Sequence, residues 1–252
     1  MPLNIYTTLV GLGVCFGLAY AAWQARSWDV LTDALIIGVF ALALGRMGYV
    51  ALHWNYFADH TNDILSLASP GFQEQAALCG GFIGYWLSAK RHSSIANRQL
   101  PITICIGFIG IAASLGCISN GCAYGREVFW QISGERSLAW LASVDWPDAY
   151  GISNPRLPTQ MFMVGWLCVV GVWMRSRTVG QSGSKSVSRT PLSYCPTVLL
   201  LWLVLFTLGD FVIQFARADD SLVWMGLRAE QWADVLLGVL AAAGIVRRQL
   251  QD

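Results

Sequence analysis

The chain has 252 residues, of which 55% are hydrophobic and only 12% charged. A soluble globular domain carries about 25% charged residues, so a disordered chain, a coiled coil and an ordinary cytosolic enzyme are excluded. The formal net charge of +1 gives no electrostatic reason to expect nucleic acid as a partner. What remains is one integral membrane domain over residues 1–252, and its 12 Trp suit anchoring at a bilayer interface.

A membrane-spanning helix needs about 20 mostly apolar residues. Hydropathy predicts such helices over Ile5–Trp23, Leu31–Trp54, Ile102–Ser119, Pro158–Met174, Val198–Phe215 and Trp232–Val246. No Lys or Arg precedes the first, so it reads as a retained span rather than a signal peptide. The glycine-rich stretch Gln75–Ala89 alone reads as a re-entrant segment. Between its neighbours it reads as a third span, entered through Gln73, Glu74 and Gln75. The fold class expected is therefore all-α and polytopic, with about seven transmembrane helices.

The Lys/Arg bias of the connections sets orientation. With the N-terminus out and the C-terminus in, Arg26, Lys90, Arg91, Arg98, Arg175, Arg177, Lys185, Arg189, Arg247 and Arg248 fall inside. Only Arg126, Arg136, Arg156, Arg217 and Arg228 then fall outside. Residues 176–195 read as a flexible cytoplasmic linker, Gly/Ser-rich in Val179–Ser188. Residues 120–157 carry Trp130, Trp140, Trp146 and mixed charges, and read as a periplasmic loop or lid. The expected location is a bacterial cytoplasmic (inner) membrane, with the site facing the periplasmic leaflet.

The seven cysteines are odd in number and mostly sit in apolar runs, so a disulfide framework is not expected. Cys117 and Cys122, five apart, would lie on different faces of a helix, and small packing residues is the better reading than a redox pair. No metal site and no cofactor are expected, because no Cys/His cluster has ligand spacing. His53, His60 and His92 read as surface histidines.

Ionisable groups inside spans are functional candidates by default. Arg46 must face a bundle interior, a pocket or a headgroup. A guanidinium there suits a phosphate, and the competing reading is an ion pair with Asp33, Asp210 or Asp234. Asp210, Gln214 and Arg217 follow at i, i+4 and i+7 and share one helical face. Asn120-Gly121 and Gly125 supply a turn where the fourth span ends.

These residues bring the chain close to a known family. Tyr6 stands where that family has an early Tyr, and Gly45-Arg46-Met47-Gly48-Tyr49-Val50 resembles its GxRLGYV stretch. Tyr56-Phe57, His60 and Asp63-Ile64-Leu65 resemble its YF..HP.EIL loop, and Asn120-Gly121 with Tyr124-Gly125-Arg126 resembles the end of GRIGNFINGELYGR. Pro158-Thr159-Gln160-Met161-Phe162 resembles PSQLY, and Phe215-Ala216-Arg217 with Asp220 resembles FFR.PD. In order and spacing the chain resembles the prolipoprotein diacylglyceryl transferase family. The resemblance implies a seven-span inner-membrane enzyme that moves diacylglycerol from phosphatidylglycerol to a preprolipoprotein cysteine and releases glycerol phosphate. It implies lipid or substrate contacts at Arg46, Asn120, Tyr124, Gly125, Arg126, Gln160, Gln214 and Arg217, and a site role for Tyr6.

The chain also departs from the family pattern. The family's essential His falls at Gln75 in a gap-free alignment, or at Cys79 if two residues are inserted. The signature's Arg falls at Ser114, its first Asn at Cys117 and its Glu at Cys122. The inward Arg of the sixth span falls at Asp210, and the Glu after it at Gln214. Losing a general base costs about 10²–10⁴-fold in rate. Two functions therefore stand: a phospholipid-dependent transferase, or an inactive paralogue serving as a lipid-binding or assembly subunit among other membrane proteins. A third, weaker reading uses Cys79, Cys117 or Cys122 as a nucleophile.

A buried Arg46 without a phosphate needs a counter-charge, and the sequence offers Asp210. On that reading Asp210→Ala lowers stability by about 3–5 kcal/mol, the range for breaking a buried pair from one side. Combining it with Arg46→Met should cost less than the sum of the single changes. Thermal unfolding in detergent measures the cycle, and strictly additive losses would refute the pairing.

Overall fold

The computed structural model describes residues 5–64, 71–91, 98–128, 143–148, 150–179 and 197–250. The protein is mostly helical. Its long helices are α1 (Ile5–Ala25), α2 (Asp29–Leu52), α4 (Glu74–Arg91), α5 (Gln99–Asn120), α6 (Thr159–Val179), α7 (Val198–Ile213) and α8 (Ala229–Gln249). The short α3 (Trp54–Phe57) and a 3-10 turn (Thr61–Asp63) follow α2. All seven stretches expected to span are helical.

Among the described residues, five helices are long and apolar enough to cross a membrane: α1, α2, α5, α7 with its continuation to Ala216, and α8. The other two are more polar at their ends. α4 opens on Glu74 and closes on Lys90-Arg91, and α6 opens on Thr159-Gln160 and carries Arg175 and Arg177 near its end. Outward side chains such as Phe16, Leu42, Val172, Leu208 and Leu240 are exposed and apolar, as a hydrocarbon solvent allows. Two short hairpins, missed by the all-α expectation, interrupt the helices: β1 (Val144–Pro147) with β2 (Ser153–Arg156), and β3 (Val223–Trp224) with β4 (Leu227–Arg228). The linker expected at 176–195 lies, from residue 180 on, outside the described residues, as do Trp130, Trp140 and His92.

The chain divides into two compact units: Ala21–Ile102, and Met1–Tyr20 with Thr103–Asp252. In the first, α2 and α4 pack backbone to backbone. A Cβ on Gly80 would lie 2.2 Å from the Phe40 carbonyl oxygen, and one on Gly84 would lie 2.8 Å from Ile37 Cα. Gly48 meets Ala76 in the same way. Small residues at such spacing are what close helix contact in lipid requires, so the glycines serve a continuous packed helix and not a re-entrant loop.

In the second unit, the Cys105 side of α5 lies against Gly17 of α1, and Ala112 lies against Gly13. Trp166 of α6 packs on Gly209 of α7, and its indole N–H donates to the Leu205 carbonyl at 2.9 Å. The α7–α8 contact uses Gly238 on Thr207 and Gly244 on Leu200. Gln231 caps the start of α8 by accepting from the Arg228 N–H at 3.0 Å, and its amide donates to the Phe211 carbonyl at 3.2 Å.

Arg98 staples the first unit where α5 begins. It donates to Asp33 at 2.6 Å and to Asp29 at 3.1 Å. The Asp33 side chain is 0% exposed and that of Asp29 62%. Arg98→Ala removes the charged partner of a buried carboxylate and should lower stability by about 3–5 kcal/mol. Asp29→Ala should cost under about 1 kcal/mol, as an exposed pair does. Thermal unfolding in mild detergent reads both, and equal losses would contradict this ranking.

Candidate functional site

The three motif stretches that lie in the second unit meet at one seam. Helix α5 ends at Asn120, and the chain then turns through Gly121 (φ 63°) and Ala123 (φ 53°). The extended stretch that follows pairs with the segment after α7. Arg126 N donates to the Ala216 carbonyl at 2.8 Å, and Ala218 N donates to the Tyr124 carbonyl at 2.9 Å, with Gly125 opposite Arg217. On its other edge, Leu157 N donates to the Arg126 carbonyl at 3.1 Å. Gly125 is required there, because a Cβ would sit 2.1 Å from the Leu157 carbonyl oxygen.

The start of α6 locks the seam from below. Thr159 Oγ1 donates to the Ala123 carbonyl at 2.5 Å, and Gln160 Nε2 donates to the Cys122 carbonyl at 2.8 Å. Gln160 is buried and holds the turn, whereas Asn120 and Arg126 are exposed. One turn before Asn120, the Tyr6 ring lies so close to Gly116 that a Cβ there would come within 2.7 Å of it.

Charges gather around this seam. Arg217 grips Asp219 through Nε at 3.0 Å and Nη2 at 2.6 Å, and Arg228 reaches the same carboxylate at 3.1 Å. Burial pushes the Asp219 carboxyl up, but the Arg217 hydrogen bond and the charges of Arg217 and Arg228 outweigh it, leaving it below the usual carboxylate range. Asp219 is therefore ionised at neutral pH and offsets part of the Arg217 charge. Arg156 bridges Glu127 at 2.6 Å and Asp148 at 2.9 Å, and its guanidinium lies 4.9 Å from the Tyr124 ring centroid. Backbone N–H groups of Ile152 and Tyr150 hold the Asp148 carboxyl low against desolvation, and the Arg156 charge adds to them. Burial, then the charges of Asp220, Asp148 and Asp219, push the Tyr124 phenol up. Tyr124 thus remains a neutral hydrogen-bond donor.

Asp210 and Gln214 lie beneath the seam and are 1% exposed. Gln214 Nε2 donates to Asp210 at 2.6 Å and to Asp234 of α8 at 2.9 Å. The helical face expected for Asp210 and Gln214 is present. Its third member, Arg217, lies beyond the helix, because a 3-10 turn over Gln214–Ala216 ends in extended backbone at Arg217 (φ −76°, ψ 150°).

In the first unit, Arg46 donates to three carbonyls: Nε to Ile64 at 3.0 Å, Nη1 to Gly71 at 2.9 Å and Nη2 to Asp63 at 2.6 Å. The rings of Tyr49 and Phe57 flank it at 5.9 and 5.4 Å. Arg46 thus ties the connection after α2 onto its own helix, and Asp33, one of its expected partners, is bonded to Arg98. Nearby, Gln73 N donates to the Gly45 carbonyl at 2.9 Å, and Gln73 Nε2 donates to Gln75 Oε1 at 2.9 Å. Gln75 is buried, and its amide can donate or accept but cannot take a proton at neutral pH.

In the sequence, Arg156 and Arg228 count only toward orientation, Asp234 only as an expected partner of Arg46, and Asp148 and Asp219 not at all. The mixed charges of the outer loop signal Arg156 and Asp148 but do not say which charges pair. Among the described residues, no group of three or more His, Cys, Asp or Glu could hold a metal ion.

One expectation is overturned. Cys117 and Cys122 form a disulfide, with Cα atoms 4.8 Å apart. The helical-face argument fails because the helix stops at Asn120, and the turn brings Cys122 N back to the Cys117 carbonyl at 3.1 Å. Neither thiol is therefore available as a nucleophile in this form. A loop this short contributes about 2 kcal/mol by chain entropy. Alkylation of the unfolded protein should label Cys15, Cys79, Cys105 and Cys168 at once, but Cys117 and Cys122 only after reduction, as peptide mass mapping reads. Labelling of that pair without reductant would contradict the bond.

The model of the prolipoprotein diacylglyceryl transferase family matches residues 1–247. A phosphatidylglycerol–prolipoprotein diacylglyceryl transferase of Streptococcus equi subsp. zooepidemicus is 24% identical over 263 residues, covering 100% of this chain and 93% of that protein. The enzyme of that name from Synechococcus elongatus is 26% identical over 275 residues, covering 100% and 88%. One from Streptococcus pyogenes is 22% identical over 265 residues, covering 100% and 93%. With the motif stretches, the helices and a match along nearly its whole length in agreement, the chain belongs to the prolipoprotein diacylglyceryl transferase family.

Proposed function

We propose that the protein is a phospholipid-dependent diacylglyceryl transferase of a bacterial inner membrane, with seven spans, N-terminus out and C-terminus in. The observation that carries this reading is the seam. Asn120–Arg126, Pro158–Gln160 and Phe215–Arg217 are distant in sequence, yet they close into one hydrogen-bonded unit around exposed Arg126 and the ion-paired Arg217. The Cys117–Cys122 bond supports an oxidising, periplasmic side for that end of α5. The hairpin β1–β2 and its Arg156 anchor form the periplasmic loop domain within 120–157, and residues 176–195 form a cytoplasmic linker.

The donor is a phosphatidylglycerol-like lipid and the acceptor a preprolipoprotein cysteine. The acceptor sulfur, as thiolate, attacks the glyceryl carbon that carries the phosphate ester. A C–S bond forms, the C–O bond breaks, and glycerol phosphate leaves with the electron pair. Arg126, together with Arg217 once it exchanges Asp219 for the phosphate, stabilises the charge on the leaving group. Tyr124 and Asn120 donate hydrogen bonds to the headgroup. Tyr6 positions the reacting groups. The thiol proton goes to water or to the leaving phosphate.

Two substitutions favour a second reading, a non-catalytic paralogue that binds lipid or assembles with other membrane subunits. On the motif resemblance, the family's histidine falls at Gln75, or at Cys79 if two residues are inserted, and its inward arginine at Asp210. Asp210 would repel an anionic headgroup.

One assay separates the readings. Purified protein in vesicles containing phosphatidylglycerol should add a diacylglyceryl group to a lipobox peptide, read as a mass gain, and should rescue cells depleted of their own transferase. Arg126→Ala should cut the rate about 10²-fold. No transfer by folded protein that co-purifies with a stoichiometric partner would establish the second reading.

A further inference from the structure

The connection from α7 to α8 ends in a hairpin whose tip is apolar and exposed. Leu222, Val223, Trp224 and Met225 are 64%, 67%, 61% and 76% exposed, the reverse of what a tip in water requires. The base is polar and rigid. Asp219 is held by Arg217 and Arg228, Ser221 donates to Glu230, and Ala229 N donates to the Leu222 carbonyl.

The turn itself is unusual. Met225 and Gly226 have φ values of 50° and 80° between the paired residues Trp224 and Leu227. Asn or Gly suits the first of these positions, and a long apolar side chain does not. A methionine held there is a strained choice, and strain of this kind concentrates where a side chain has a task.

The hairpin does not stand away from the helices. The Trp224 and Trp232 rings pack at 5.3 Å, and the Trp232 indole N–H donates to the Trp224 carbonyl at 3.0 Å. Trp232 begins a stripe on α8 that continues through Val235, Leu236, Val239 and Leu240, all at helical spacing and all four exposed. On α7, Leu208 and Val212 are exposed as well, as is Phe215 in the 3-10 turn that follows it. The hairpin is therefore continuous with the lipid-facing surface of two spans.

We infer that Leu222–Met225 is a membrane-interface wedge. Val223, Trp224 and Met225 insert at the boundary between headgroups and acyl chains of the leaflet where α7 ends and α8 begins. Arg217, Asp219 and Arg228 stay at headgroup level. Interfacial Trp next to apolar side chains is the pattern that this zone selects. The inference concerns anchoring, not transfer, and it stands whichever functional reading holds.

Two measurements on the full chain in phosphatidylcholine–phosphatidylglycerol vesicles test it. The first is tryptophan emission of the unmodified protein minus that of Trp224→Phe. Phosphatidylcholine brominated near the headgroup end of its chains should quench this difference several-fold more strongly than aqueous iodide does. The second places p-benzoylphenylalanine at residue 225 and irradiates it. Lipid adducts are expected at 225, and far fewer with the probe at Asp220 as a polar control. Stronger quenching by iodide, an absence of lipid adducts, or adducts to a protein partner or a second copy of the chain would each overturn the wedge.

Discussion

Backbone that leaves helical geometry at the edge of a membrane must satisfy its N–H and C=O groups within the protein. The stretch Tyr124–Arg126 does so on both edges, against Ala216–Ala218 and against Leu157. That double pairing decides much of the second unit. It demands glycine at 125, it fixes where α6 begins, and it draws the end of α5 to the end of α7. The disulfide, Thr159 and Gln160 all act on the turn that feeds this stretch. The backbone that carries the exposed Arg126 side chain is hydrogen-bonded on two sides.

Within the first unit the same constraint is met with arginine side chains. Arg46 carries its charge into a helix and surrounds it with carbonyl dipoles and aromatic faces. Arg98 uses two carboxylates instead. Both arrangements offset the loss of water.

Within the family scaffold, polar groups of the second unit are tied to one another. Gln214 spans Asp210 and Asp234, so the polar interior of α7 and α8 is bridged by an amide. Cys117 and Cys122 tie the end of α5 to the turn that follows it.

Composition and hydropathy determined the membrane class and the position of every long helix, since a span of about 20 apolar residues is a one-dimensional signal. Motif order along the chain determined the family. Arg46, Gln75 and Asp210 could be singled out because polar groups in apolar runs stand out without any structure. The partners could not be read. That Arg46 would meet three carbonyls, that Asp33 would go to Arg98, and that Cys122 would turn back to Cys117 depend on where helices stop and chains reverse. The positive-φ turn at Gly121 and Ala123 and the strained Met225 have no periodicity to reveal them. Pairing is a property of distance in space, and only the tertiary structure sets those distances.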